Sequence, residues 1–183
     1  MTPHPKGRMP GDLNHKEMIE RMVRVDQAGE YGAVRIYKGQ MAVLGKEDKK
    51  DLLQHMLEQE EVHLDTFNKI AAQRRVRPTF MTPIWHMAGF ALGAGTALLG
   101  EKAAMACTVA VEETIVAHYA DQIKELGDHE PELRDTFVKF REEELEHRDI
   151  GYEHGAKQAP AYGLLTKAIK SGSKVAFWVF ECF

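Results

Sequence analysis

Two short segments of the chain carry the same pair of side chains at the same spacing, Glu60-x-x-His63 and Glu144-x-x-His147. Three residues apart on an α-helix, a carboxylate and an imidazole share one face. Two such pairs, joined by a single Glu from each of two further helices, form the ligand set of a carboxylate-bridged metal pair inside a four-helix bundle. The chain supplies both single acids, Glu30 and Glu112. Four carboxylates balance two divalent ions. Left uncompensated in an apolar core, each acid would cost roughly several kcal/mol or take up a proton. One imidazole per ion among oxygens suits iron or manganese, whereas zinc takes more nitrogen or sulfur. With six residues for two ions some carboxylates must bridge, and open positions remain for dioxygen.

Helices of the right face must present these groups. A first helix is expected from about His15 to Leu44, with Asn14 and Glu17 as a capping box and Gly45 as a stop. Its inward stripe is Ile19, Val23, Gln27, Glu30, Val34, Tyr37 and Met41. A second runs from about Lys49 to Arg75 with Leu53, Met56, Glu60, His63, Phe67 and Ile70 inward, which leaves Glu58 and Glu61 solvated. A third spans about Glu101 to Leu126, and its first half, Ala103 to Val111, is apolar nearly all round. Such a helix is buried on most sides. A fourth begins near Pro131, with Leu133, Phe137, Phe140, Glu144, His147 and Gly151 inward and Glu142, Glu143 and Glu146 turned elsewhere.

Periodicity does not choose between Glu112 and Glu113, but an internal repeat does. Ala28-x-Glu30 followed by Tyr37 and Gln40 matches Ala110-x-Glu112 followed by Tyr119 and Gln122. Glu58-x-Glu60-x-x-His63-x-Asp65 matches Glu142-x-Glu144-x-x-His147-x-Asp149. A helical hairpin, about residues 15–75, thus recurs at about 101–156. Tyr119 and His118 stand about two turns past Glu112, where they either line a path for substrate or electrons or pack as core aromatics. Asp26, one turn before Glu30, is placed to support a ligating histidine. Trp85 reads as a packing or interfacial residue.

Residues 78–100 contain no Asp, Glu, Lys or Arg. A bilayer span needs roughly 20 apolar residues, so length alone would permit a crossing. Pro83, three glycines and His86 argue against it, as does the need for helices on both sides of the segment to meet at one site. A long crossover with a short helix on the bundle surface, one face laid into a membrane interface, fits better. Lys69, Arg74, Arg75 and Arg77 could meet anionic headgroups. From Leu164 to Phe183 lysines alternate with Ile169, Val175, Phe177, Trp178 and Phe180, an amphipathic helix for the bundle or a membrane.

The chain has 183 residues, 44% of them hydrophobic and 28% charged, with a net charge of −4. That length suffices for one domain with a full core, and that charge does not point to nucleic acid. Cys107 and Cys182 form no CxxC motif, so neither a disulfide framework nor a thiolate site is implied, and a reducing compartment fits. Residues 1–14 are expected to be a disordered tail and 15–183 a single domain. No nicotinamide or flavin fingerprint is present, since Gly93-x-Gly95 lies in the crossover without a third glycine. Electrons must come from the substrate, a loosely bound reductant or another protein.

The runs Arg24–Ala33, Gly89–Gly100, Ala104–Glu113 and Glu143–His147 resemble the demethoxyubiquinone hydroxylases of ubiquinone biosynthesis, over residues from about 19 to the end. The resemblance implies an all-α, ferritin-like four-helix bundle and a monooxygenase with two iron ions per chain, acting through Glu30, Glu60, His63, Glu112, Glu144 and His147. It implies hydroxylation of the demethoxyubiquinol ring with dioxygen, and NADH or the quinol as reductant. It also implies a peripheral membrane protein that binds an isoprenoid-tailed substrate and works beside other ubiquinone-biosynthesis proteins. The expected location is the cytoplasmic face of a bacterial cell membrane; a trimmed chain from the matrix side of the mitochondrial inner membrane would read the same. Two other readings use the same residues: a ferritin-like iron store or peroxide scavenger, and a lipid- or quinone-binding module with structural acids. An iron store gains nothing from a long uncharged stretch, and a lipid module predicts no stoichiometric iron.

Overall fold

The computed structural model describes residues 12–45 and 50–182. Most of the expected tail (residues 1–11), the expected start of the second helix at Lys49 and the terminal Phe183 lie outside the described residues. The described residues form an all-α, ferritin-like bundle without a strand: α1 (His15–Leu44), α2 (Lys50–Arg74), α3 (Thr82–Leu98), α4 (Glu101–Leu126), α5 (Pro131–Glu153), a 3-10 turn (Ala156–Gln158) and α6 (Tyr162–Cys182).

The capping box at the start of α1 is reciprocal. The Glu17 amide donates to the Asn14 side chain at 2.9 Å, and the Asn14 amide donates to the Glu17 carboxylate at 2.7 Å. Two orphan amides are thereby satisfied. On α5 the buried residues are the expected stripe of Leu133, Phe137, Phe140, Glu144, His147 and Gly151. α2 buries Leu53, Met56, Glu60, His63 and Phe67, and Ile70 is only partly covered. Met41 at the end of the α1 stripe is likewise partly covered. The apolar first half of α4 is buried continuously from Ala103 to Glu112, as an all-round apolar helix requires. Pairwise, α1 packs on α2 and α4 on α5, so each repeat is a hairpin, and α6 lies against α4 and α1.

The apolar segment between α2 and α4 becomes α3, which lies along α1. Glycines set their separation. A Cβ on Gly93 would stand 2.0 Å from the Ile36 carbonyl oxygen, and one on Gly39 2.3 Å from that of Phe90. Tyr31 Oη and His86 Nδ1, 2.6 Å apart, tie the same two helices. Among the described residues no helix is long and apolar enough to cross a membrane. Phe80, Ile84, Met87, Leu98 and Leu99 are nonetheless exposed in and around α3, as are Leu164, Val175 and Trp178 on α6.

Candidate metal centre

The bundle brings all six sequence-selected side chains to one place. Glu30 comes from α1, Glu60 and His63 from α2, Glu112 from α4, and Glu144 and His147 from α5, each at most 2% exposed. They form two overlapping groups, Glu30–Glu60–His63–Glu144 and Glu60–Glu112–Glu144–His147. Within each group one potential ligand atom per residue lies within 4.8 Å of the others, close enough to hold an ion. Glu60 and Glu144 belong to both groups and could bridge. His63 Nδ1 lies 3.0 Å from Glu144 and 3.5 Å from Glu30. His147 Nδ1 lies 3.1 Å from Glu60 and 3.2 Å from Glu144.

Electrostatics separate the acids. Burial and the nearby Glu144 charge push the Glu60 and Glu112 carboxyls well above their ordinary range. Burial pushes Glu144 the same way, but hydrogen bonds from His147 and His63 outweigh it and hold it at about 2. Burial would lower His63, yet its bonds to Glu144 and Glu30 raise it to about 12. Glu30 Oε2, both Glu60 oxygens and Glu112 Oε2 accept no hydrogen bond. Such orphans are uncommon in folded proteins. Lone pairs aimed at a shared centre, with two imidazoles among them, suit a pair of hard or borderline cations. Tyrosines complete the setting: Tyr119 donates to Glu30, and Tyr37 donates to Glu112 at 2.8 Å. Burial pushes both phenols well above their usual range, which keeps them donors.

A cavity of about 820 Å3 runs beside this centre, walled by α1, α3, α4 and α6 and lined almost wholly by apolar groups. Gly29, Ile115 and Phe177 wall it, and the same three line a small pocket reaching Glu30, Tyr119, His118 and Asp26. The cavity therefore lies next to the Glu30 side of the centre, with these three residues between. His118 stacks on Phe177 with ring centroids 4.6 Å apart. Asp26 departs from expectation, pairing with His118 at 3.3 Å and accepting from Gln122 at 2.9 Å rather than supporting His63 or His147. Its place on α1 faces α4, whereas both those histidines come from α2 and α5. Trp85 packs edge-on against Phe180 and lines the cavity.

A family model described as ubiquinone biosynthesis protein COQ7 matches residues 17–180. The chain belongs to that family. It is 63% identical over 175 residues to the 3-demethoxyubiquinol 3-hydroxylase of Rhodospirillum rubrum, covering 95% of this chain and 82% of the relative. It is 54% identical to the NADPH-dependent 3-demethoxyubiquinone 3-hydroxylase, mitochondrial, of Bos taurus, covering 93% and 80%. To the 5-demethoxyubiquinone hydroxylase, mitochondrial, of Saccharomyces cerevisiae it is 42% identical, covering 89% and 77%.

Two neighbours of the centre in this COQ7-family chain escaped the sequence reasoning. Glu143 was expected to turn away, but its carboxylate lies 2.9 Å from His63 Nε2. The Gln59 amide oxygen lies 2.9 Å from His147 Nε2. Both sit one residue before a ligand-type Glu, at the rim of the stripe, where they reach across to the opposite helix. The repeat held the signal: positions 59 and 143 correspond.

Proposed function

We propose that this COQ7-family protein, as a hydroxylase of ubiquinone biosynthesis, is a di-iron monooxygenase acting on the ring of demethoxyubiquinol. Family membership and the names of close relatives support the hydroxylase activity. The observation that carries the di-iron reading is the pair of buried four-residue groups sharing Glu60 and Glu144. Glu30 and His63 would hold one iron ion, Glu112 and His147 the other, and the shared acids both. Bound there, iron would supply the activation of dioxygen that ring hydroxylation requires. Inserting one oxygen atom and reducing the other to water takes two electrons and two protons from an external reductant. The names of several relatives specify NADPH; NADH or the quinol would serve the same balance.

The chain's own residues bind and orient. The cavity takes the ring and the first part of an isoprenoid tail, excluding water by its apolar lining. Gly29, Ile115 and Phe177 stand between the cavity and the Glu30 side of the centre, where a flat ring fits closer than a branched tail. Tyr119 holds a proton against Glu30 at that end. The exposed apolar side chains of α3 and α6 support peripheral attachment to a membrane, where such a substrate partitions.

Metal analysis of the protein and of Glu144→Ala tests the proposal, followed by turnover of demethoxyubiquinol with the product identified by mass. Two irons per chain, lost in the variant together with ring hydroxylation, are expected. Folded wild-type protein without stoichiometric iron would overturn the oxygenase reading in favour of a lipid-binding one.

A further inference from the structure

The duplication is obeyed beyond the six ligand-type residues. Tyr119 donates to Glu30 and Tyr37, its counterpart, to Glu112. Both histidines turn Nδ1 inward to carboxylates and Nε2 outward to a side chain of the opposite hairpin. At those outward partners the two halves differ. His63 Nε2 meets the Glu143 carboxylate and His147 Nε2 meets the Gln59 amide oxygen, both at 2.9 Å. The distance is the same; the charge is not.

With Nδ1 committed to an ion, each ring keeps its proton on Nε2 and donates it outward. A hydrogen bond to a carboxylate is roughly twice as strong as one to a neutral amide. It draws the proton away, makes the ring more electron-rich and strengthens Nδ1 as a donor to metal. The Glu143 side chain is 25% exposed, and Lys139 approaches its other oxygen only to 3.7 Å, so most of its charge falls on His63.

We propose that Glu143 makes the two ion positions unequal. The ion held through His63 and Glu30 is the tighter, and the ion held through His147 and Glu112 is the looser. This rests on the di-metal reading above. Glu143 acts through His63 and is a positioning residue.

The test is release of iron from the loaded full-length chain into excess EDTA, with Glu143→Gln and Gln59→Glu. Wild type is expected to lose its two ions in separate phases, differing about 10–100-fold, the usual effect of such partners on metal affinity. Glu143→Gln brings the slow phase toward the fast one; Gln59→Glu slows the fast phase. Mössbauer spectra of iron-57 protein report the same asymmetry without turnover: two doublets in wild type converge in Glu143→Gln. Thermal unfolding shows whether each variant is folded, and Gln59→Glu decides the matter should Glu143→Gln fail to fold. Two ions bound, with neither substitution moving its phase, overturn the inference and leave the di-iron reading standing. Fewer than two ions in folded wild type overturn both.

Discussion

Replacing Gly93 by alanine should destabilise the protein, although alanine is the better helix former. The new Cβ would sit 2.0 Å from the Ile36 carbonyl oxygen and 2.8 Å from its carbon, where ordinary contacts begin near 3.4 Å. Both are backbone atoms, so no side chain can swing aside, and α1 and α3 must part by more than an ångström. Overpacking of this kind costs about 1–3 kcal/mol. The helical preference of alanine over glycine offsets about 0.5–1 kcal/mol. A net loss of about 1 kcal/mol lowers Tm by about 2–4 °C in a protein of this size. Gly95, two residues on in the same helix, is the control. Nothing lies within 4 Å of its Cβ position, so Gly95→Ala should raise Tm by about 1–4 °C. Gly39→Ala, on the other side of the contact, should behave like Gly93→Ala. The double variant should lose less than the sum, because one separation of the helices relieves both clashes. Circular dichroism melts of wild type and the four variants suffice. Equal shifts for Gly93→Ala and Gly95→Ala, or strict additivity of the glycine pair, would refute the close α1–α3 contact and with it the wall it forms for the cavity.

Gly32 lines the cavity with nothing within 4 Å of its Cβ position, so Gly32→Leu should keep or slightly raise its Tm while KM for a long-tailed demethoxyubiquinol rises several-fold. Burial pushes the Glu113 carboxyl up, but Lys170 and Tyr152 outweigh it and hold it below its usual range. The stability this gives is complete above the unfolded value of about 4.3 and is lost as pH falls through the folded value. The protection factors of amides in α6, which carries Lys170, that is exchange corrected for its intrinsic pH dependence, should therefore fall on acidification below about pH 4, with a smaller acid response in Glu113→Gln. Trp178 is 61% exposed, so its fluorescence should shift to the blue with anionic vesicles, and Phe80→Ser with Trp178→Ser should weaken sedimentation with them.

Much of this arrangement was legible because the two periodicities agree. Helical spacing put Glu60, His63, Glu144 and His147 on inward stripes, and the repeat resolved Glu112 from Glu113. The burial of these residues and the exposure of Glu58, Glu61 and Glu142 follow from that one geometric rule. Contacts made across the bundle were not legible. Glu143 lies off its own helix's stripe, so a face argument discards it, yet a long side chain at the rim reaches the neighbouring helix. Asp26 was misassigned for the related reason that its partner depends on which helix α1 faces at that level. The cavity runs between α1 and α4, the first and third of the helices expected to form the bundle. That α3 and α6 close it could not be read from amphipathicity, which gives a face but not its neighbour.

The places where the repeats differ distinguish the two ends of the centre. Gln122 donates to Asp26, and its counterpart Gln40 donates to Thr108, the counterpart of Asp26. His118 stands where the other half has Ile36. One half thus packs with a hydroxyl and an aliphatic side chain, and the other places a buried carboxylate and a partly buried imidazole at the same positions. A buried charged pair is seldom more stabilising than well-packed neutral residues of similar size, so packing does not demand it. It occurs on the half containing Glu30, where Gly29, Ile115 and Phe177 bring the apolar cavity to the centre. Gly29 and Ala33 are matched in the repeat by Val111 and Ile115, larger side chains that line the same cavity from α4. Small residues on α1 open the wall, and polar groups on α4 and α1 line the opening. On the proposed reading, substrate access and proton-bearing groups coincide at the Glu30 position, the same one that Glu143 marks through His63.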